Sequence, residues 1–266
     1  MIDRGKKSVL GVMVDAVDYD AAISRICTAA RQARPYAVSA LAVHGVMTGA
    51  QSAQHKFRLN AFDMIVPDGQ PVRWALNLLH RTGLTNRVYG PELTLRTLRM
   101  AAEERLPVYF YGTTPAILEA LLGRLRVLFP NLVVAGSEPS KFRTISPQER
   151  LEVAQRIAAS GARITFVGLG CPRQEIFTYE MRDLLSMPIL AVGAAFAFIA
   201  GELPQAPPLM QRYGLEWLFR LRAEPGRLWR RYLILNPHYL CLLAAQCLGL
   251  QYSSTGVKPV TEVRYG

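Results

Sequence analysis

Ile164-Thr165-Phe166-Val167-Gly168-Leu169-Gly170-Cys171-Pro172-Arg173-Gln174-Glu175 runs from β-branched and aromatic residues through two glycines and a proline into a stretch able to start a helix. Strand, tight turn and helix in that order form the repeating unit of a parallel α/β sheet. A helix opened this way aims unpaired backbone N–H groups and its positive dipole end at whatever precedes it, which suits a diphosphate. An ordinary tight turn with Pro172 at the first helical position fits the same spacing. Arg173 fills the third glycine position of G-x-G-x-x-G, which speaks against a dinucleotide fingerprint.

The rhythm continues on both sides. Short apolar runs at 9–14, 36–41, 64–66, 108–111, 132–135 and 189–192 alternate with helical periodicity such as 116–128 and 147–159. The expected fold is α/β, a Rossmann-like and largely parallel sheet flanked by helices, over residues 1–202. Several runs end in glycine or proline punctuation, at Pro67-Asp68-Gly69, Gly112-Thr113-Thr114-Pro115 and Gly168-Leu169-Gly170. Ligands in such sheets collect at the carboxyl ends of the strands. Pro67-Asp68-Gly69 alone is usually a turn; at that sheet edge, however, Asp68 is placed to take a proton from a sugar hydroxyl as general base.

The 266 residues are half apolar, enough for a sizeable core, and carry a formal charge of +11 with a pI near 9.8. Such a balance favours nucleic acid, anionic lipid or the phosphates of a nucleotide sugar. Cys27, Cys171, Cys241 and Cys247 lack C-x-x-C spacing, so neither a zinc site nor a disulfide framework is expected, and a reducing cytoplasm fits. The apolar run at 9–14 is too short for a signal peptide. His44, His55, His80 and His238 show no ligand spacing, so no metal is expected. Asp18-Tyr19-Asp20 spells D-x-D, but it precedes a helical stretch and reads as helix capping.

From about residue 203 the character changes. A proline-rich connector at 203–208 leads into a helical, basic appendage over 203–250, followed by a tail at 251–266 expected to be loose. Trp217, Phe219, Trp229 and Tyr232 interleave with Arg220, Arg222, Arg227, Arg230 and Arg231. That composition suits a helix in the headgroup region of an anionic membrane, and equally a grip on single-stranded nucleic acid. Residues 238–250 are apolar but fall short of the ~20 needed to span a bilayer, and Asn236-Pro237 is expected to interrupt the helix upstream.

Taken in order, Val66-Pro67-Asp68-Gly69-Gln70-Pro71, Arg87-Val88-Tyr89-Gly90, the stretch from Phe166 to Glu175, Val192-Gly193-Ala194-Ala195-Phe196, and Gly214-Leu215-Glu216-Trp217-Leu218-Phe219-Arg220 with Glu224-Pro225 and Arg227 resemble the WecG/TagA/CpsF glycosyltransferases, glycosyltransferase family 26. The likeness covers roughly residues 9–240. It implies an inverting transfer from a UDP-sugar to an undecaprenyl-diphosphate-linked saccharide, with neither metal nor other cofactor. It places the general base on Asp68, donor contacts on Arg87 and Gln174, and appendage arginines at Arg220, Arg227 and Arg230, beside the diphosphate cradle already read from Gly168 and Gly170.

The implied partners are the UDP-sugar, the lipid-linked acceptor and an anionic membrane surface at the inner face of the cytoplasmic membrane. Further copies of the chain are allowed, and nucleic acid is not implied. Three positions depart from the family pattern. Ser39-Ala40-Leu41-Ala42-Val43-His44 replaces a usual Thr-x-Asn, leaving Ser39 and His44 as polar contacts; Ala197 replaces an aspartate; and Glu92 is the acidic residue after Arg-Val-x-Gly. The donor reads as UDP-glucose or UDP-N-acetylmannosamine. Gln205-Ala206-Pro207 and residues 227–237 are similar to exopolysaccharide glucosyltransferases. A basic nucleic-acid-binding module, and a degenerate transferase serving as scaffold, are the alternatives.

Overall fold

The computed structural model describes residues 1–260, and only the backbone at Pro208, Arg227 and Arg231; the expected tail positions 261–266 and the side chain of Arg227 lie outside the described residues. Among the described residues, β3 (Tyr36–Leu41), β4 (Met64–Pro67), β5 (Val108–Gly112), β6 (Val134–Glu138), β7 (Ile164–Gly168) and β8 (Pro188–Ala191) form one parallel sheet. Its order is β4-β3-β8-β7-β5-β6. The inner strands are buried on both faces and therefore read as continuous apolar runs.

One face, carrying Val38, Val66, Phe110, Phe166 and Leu190, is covered by α1 (Tyr19–Arg31), α5 (Gly90–Glu103), α6 (Pro115–Leu128) and α9 (Ala195–Ala200). The other packs against α2 (Val43–Gln51), α3 (Ala53–Asn60) and α4 (Gln70–His80) at one end, and α7 (Pro147–Ala159) and α8 (Arg173–Met181) at the other. β3 and β8 are neighbours, yet the chain leaves β3 into α2 on one face and β8 into α9 on the opposite face. A crevice opens at such a switch point.

Residues 9–14, expected as one strand, are instead a hairpin corner. β1 (Asp3–Val9) and β2 (Val12–Val17) pair antiparallel, and the turn at Leu10 and Gly11 puts both residues at positive φ, 53° and 83°. Leu10 is an unusual turn residue, and Val9, Leu10 and Val12 are all buried, so the apolar run hides the corner. The hairpin lies along the outer edge of β4, where Asp15 of β2 accepts the Ile65 N–H at 2.8 Å. An edge strand is thereby covered. Asp18 caps α1 by accepting the Ala21 N–H, as the D-x-D reading expected.

Beyond the connector come α10 (Pro208–Arg212), α11 (Glu216–Ala223), α12 (Pro225–Arg230), a π-helical turn (Arg231–Leu235) and α13 (Asn236–Cys247). The expected interruption at Asn236-Pro237 does not occur. Pro237 lacks an N–H and crowds the carbonyl four residues back, and the π turn widens the helix there so that it continues. α13 belongs to the core: Tyr239 and Leu243 are buried in the cluster formed by the hairpin, α2 and α4. The Tyr239 hydroxyl donates to the Pro71 carbonyl at 3.2 Å, and Gln246 accepts the Leu10 N–H at 3.0 Å.

The start of the tail is also tied down rather than loose. Lys56 and Asn60 of α3 donate to the carbonyls of Ser253 and Ser254, and the Val257 N–H donates to the Ala53 carbonyl. No helix among the described residues is long and apolar enough to cross a membrane.

Candidate active site

Asp68 follows β4 directly, at the carboxyl edge of the sheet. Its Oδ1 accepts the Gly90 N–H at 2.8 Å, which ties the end of β4 to the start of α5. Burial pushes its carboxyl above the ordinary 3.8, against the opposing pull of Arg87 and of the Gly90 bond. A carboxylate held this way is a stronger base than one in water. The small cavity in front of it, about 100 Å³, is lined from the sheet side by Ala42, His44 and Gln70 and from the appendage by Glu216, Trp217, Arg220 and Tyr232.

Arg87 joins the two sides. Its guanidinium donates to Glu216 at 2.5 Å, lies 4.3 Å from the Tyr89 ring centroid, and both members of the ion pair are nearly buried. Burial alone would lower the pKa of Arg87, but the Glu216 and Asp68 carboxylates more than offset it and hold it above the usual value. Arg220 lies 5.5 Å from the Phe198 ring, and Trp217 packs 5.9 Å from Tyr232. The appendage is thus held over Asp68 by the buried Arg87–Glu216 pair and by Arg220 on the Phe198 ring of α9.

Helix starts differ across the molecule in a way that bears on the site. α1, α3, α6 and α7 are capped by the side chains of Asp18, Ser52, Thr114 and Ser146. α2 and α4, which begin at the cavity, and α8, which begins at the β7 turn, have no side-chain cap. At α8 the Gln174 N–H is taken by the Gly170 carbonyl, so the free first-turn N–H groups of α2 and α4, together with Arg220, form the donor set able to meet phosphate oxygens.

Residues 7–253 match the family described as Glycosyl transferase WecG/TagA/CpsF family. The chain belongs to that family. It is 31% identical over 194 residues to the N-acetylglucosaminyldiphosphoundecaprenol N-acetyl-beta-D-mannosaminyltransferase of Bacillus spizizenii (strain ATCC 23059 / NRRL B-14472 / W23), with 73% of each chain covered. This WecG/TagA/CpsF protein is accordingly a glycosyltransferase.

Of the residues singled out in the sequence of this WecG/TagA/CpsF chain, Asp68, His44, Arg87 and Arg220 come together around the one cavity. Glu92 lines the adjoining cleft, where it pairs with Arg96 at 2.6 Å. Arg230 is exposed and lies 5.2 Å from the ring of its neighbour Trp229, outside both spaces. Gly168 and Gly170 sit at the end of β7, three strands from β4 in the sheet order, or roughly 14 Å at the usual strand spacing. Gly168 has to be glycine: a Cβ there would stand 2.5 Å from the Phe196 ring.

Ser39 and Gln174 line neither space. Successive residues of a strand face opposite sides, and Ser39 points away from Ala40, whose Cβ is the one that approaches Gly90. Buried Ser39 donates to Glu175 Oε1 at 3.1 Å; buried Gln174 donates to the same oxygen at 2.9 Å and accepts the Gly170 N–H at 3.2 Å. Both fix the shape of the β7–α8 turn. Sequence reasoning passed over Glu216, Tyr89 and Tyr19. Tyr89 stood inside a quoted motif, its hydroxyl buried here; Tyr19 accepts the Tyr89 N–H at 2.8 Å.

Behind the turn, His55, Cys171 and Glu175 bring ligand-type atoms within 4.8 Å of one another, a grouping that histidine spacing hid because its members come from α3, the β7–α8 turn and α8. Burial, and then the charge of Arg58, holds the His55 imidazole down from 6.5 to about 4. The folded chain therefore refuses a proton that the unfolded chain accepts. Its contribution to stability is fully present above about pH 6.5 and is lost as the pH falls toward 4. The expected loss across that window is about 3 kcal/mol, and it should be absent in His55→Gln. Urea midpoints at pH 7 and pH 4 read it, and equal losses in both proteins would remove His55 from the account.

Proposed function

We propose that this glycosyltransferase moves a sugar from a UDP-sugar to an undecaprenyl-diphosphate-linked saccharide with inversion at the anomeric carbon, and that Asp68 is its general base. The observation that carries the reading is the juxtaposition of a buried, basic carboxylate with Arg87 and Arg220 at uncapped helix starts. Asp68 takes the proton from the acceptor hydroxyl as that oxygen attacks. UDP leaves from the opposite face, and the negative charge it gains is met by Arg220 and the first-turn N–H groups, donors already in place before reaction. The Gly168–Gly170 turn, its Gly170 N–H held by Gln174, borders this edge across the sheet on the nucleotide side.

The relative's name specifies a β-linked product and an undecaprenyl diphosphate acceptor, which supports the acceptor class and a single inversion of an α-linked donor. The same name favours N-acetylmannosamine as the sugar; the connector at 205–207 supports UDP-glucose and exopolysaccharide assembly as the second reading. In this reading the reaction uses no metal, and Asp18 of the D-x-D, which caps α1, supports it. The basic appendage brings the enzyme to the cytoplasmic face of the membrane.

A panel of UDP-sugars offered with short polyprenyl-diphosphate saccharide acceptors, read by mass spectrometry, tests the proposal. Transfer from one UDP-sugar, undiminished by EDTA, is expected. Failure to transfer to any lipid diphosphate acceptor, or loss of activity on chelation restored by a divalent ion, would overturn the corresponding part.

A further inference from the structure

On the far side of Arg87 and Tyr89 from Asp68 lies a second space of about 740 Å³. That is within the ~300–1,000 Å³ of sites that hold small molecules, whereas the cavity at Asp68 is below it. Its lining includes Tyr19, which follows the β2 strand along the outer edge of β4, Arg73 of α4, and Arg212 at the end of α10. Two of its arginines are already paired, Arg87 with Glu216 and Arg96 with Glu92. Arg73 and Arg212 have no carboxylate partner among the described residues. Arg73 is half-buried and donates to the carbonyls of Leu84 and Thr85 at 3.2 and 2.9 Å, and its Nε is buried with no partner. Burial with no neighbouring carboxylate lowers its pKa. A guanidinium held this way calls for an anion.

The rim adds a second requirement. Trp74, which follows Arg73 in α4, and Tyr213, which follows Arg212 just beyond α10, are exposed, as are Leu78 and Leu209 on the same two helices. Gly214 sits against Trp74, where a Cβ would come within 2.8 Å of the ring, so the two apolar strips adjoin. A charged cleft bordered by exposed apolar side chains matches a ligand that is anionic at one point and hydrocarbon beyond it.

Resting on the transferase reading above, we infer that the cleft between Arg73 and Arg212 holds the diphosphate of the lipid-linked acceptor, with the first polyprenyl units lying over Trp74 and Tyr213. In an inverting displacement the attacking and leaving groups stand on opposite sides of the anomeric carbon. The uncapped β7 turn lies inward of Asp68 in the sheet, and this cleft lies outward of it, beside the β4 edge. The acceptor sugar then spans from the cleft past Tyr89, its hydroxyl at Asp68. Two diphosphates are kept apart by the Arg87–Tyr89 wall.

The test uses the full chain with a short-chain polyprenyl-diphosphate saccharide and its UDP-sugar. Arg73→Gln with Arg212→Gln is expected to raise the acceptor KM roughly tenfold or more, the size of a lost charge-assisted hydrogen bond, with the donor KM within about twofold of wild type. Inorganic pyrophosphate should compete with the acceptor in wild type and less well in the variant. Because Arg73 also holds the Leu84 and Thr85 carbonyls, the exposed Arg212→Gln alone serves if the double variant fails to fold, and it should show the smaller part of the same acceptor effect. A raised donor KM with an unchanged acceptor KM would assign the cleft to the UDP diphosphate; no change in either would leave it without a ligand, and both outcomes overturn the inference. A wild-type chain that transfers to no lipid diphosphate at all would instead overturn the transferase reading itself.

Discussion

Asp68→Asn is expected to lower kcat by roughly 10²–10⁴-fold, the usual contribution of a general base, while UDP-sugar affinity stays close to wild type. The amide is nearly isosteric, and its Oδ1 can still accept the Gly90 N–H that ties β4 to α5. What is lost is the capacity to take a proton. Burial raises the Asp68 carboxyl above 3.8, so the acid limb of kcat/KM in the wild type should lie above that value, with activity falling as the pH drops through it. Stability should move the other way. A carboxyl whose folded pKa is raised contributes stability that is present below the unfolded value and lost as the pH rises, so the uncharged variant should unfold no more readily than wild type at pH 7. Kinetics on a lipid-linked acceptor with thermal midpoints reads both effects. Full turnover by the asparagine variant would remove Asp68 from the mechanism.

Arg87→Met should have the largest effect on stability, about 3–5 kcal/mol, because it leaves Glu216 as a buried carboxylate with its partner gone. Turnover should fall with it, since Arg87 fastens the start of α11 and thus the position of Trp217 and Arg220 over Asp68. Glu216→Gln in the same chain removes the stranded charge and should recover much of the stability but not the turnover. The four proteins form a double-mutant cycle, whose coupling energy isolates the pair. Unchanged urea midpoints across the cycle, with unchanged protease resistance of the segment from 203 to 235, would show that the pair does not fasten the appendage.

The C-terminal region shows how far a local reading carries. Its arginines and aromatic residues are visible in the sequence, and their alternation pointed to a surface helix. Yet Tyr239 and Leu243 of the same region are core residues and Gln246 bonds to the hairpin turn. An apolar stretch has the same composition whether it faces lipid or packs on a neighbouring helix. The hairpin corner at Leu10 was hidden for a related reason, since a buried turn carries buried-strand residues. Ser39, by its place in a motif, reads as a substrate contact. One residue of strand alternation turned it to the other face of the sheet.

By itself the sequence determined the parallel sheet, the strand–turn–helix units and the family, and it pointed to Asp68 as the reacting carboxylate. Those features are local: doubly buried strands must be apolar throughout, and chain reversal needs glycine and proline at fixed positions. Only the tertiary structure decided that Glu216 answers Arg87 across 129 positions of sequence, that Gly90 holds Asp68, and that residues from Tyr19 to Arg212 enclose one charged cleft. Such contacts depend on the path of the whole chain, and their strength depends on the exclusion of water, which no short window of residues specifies.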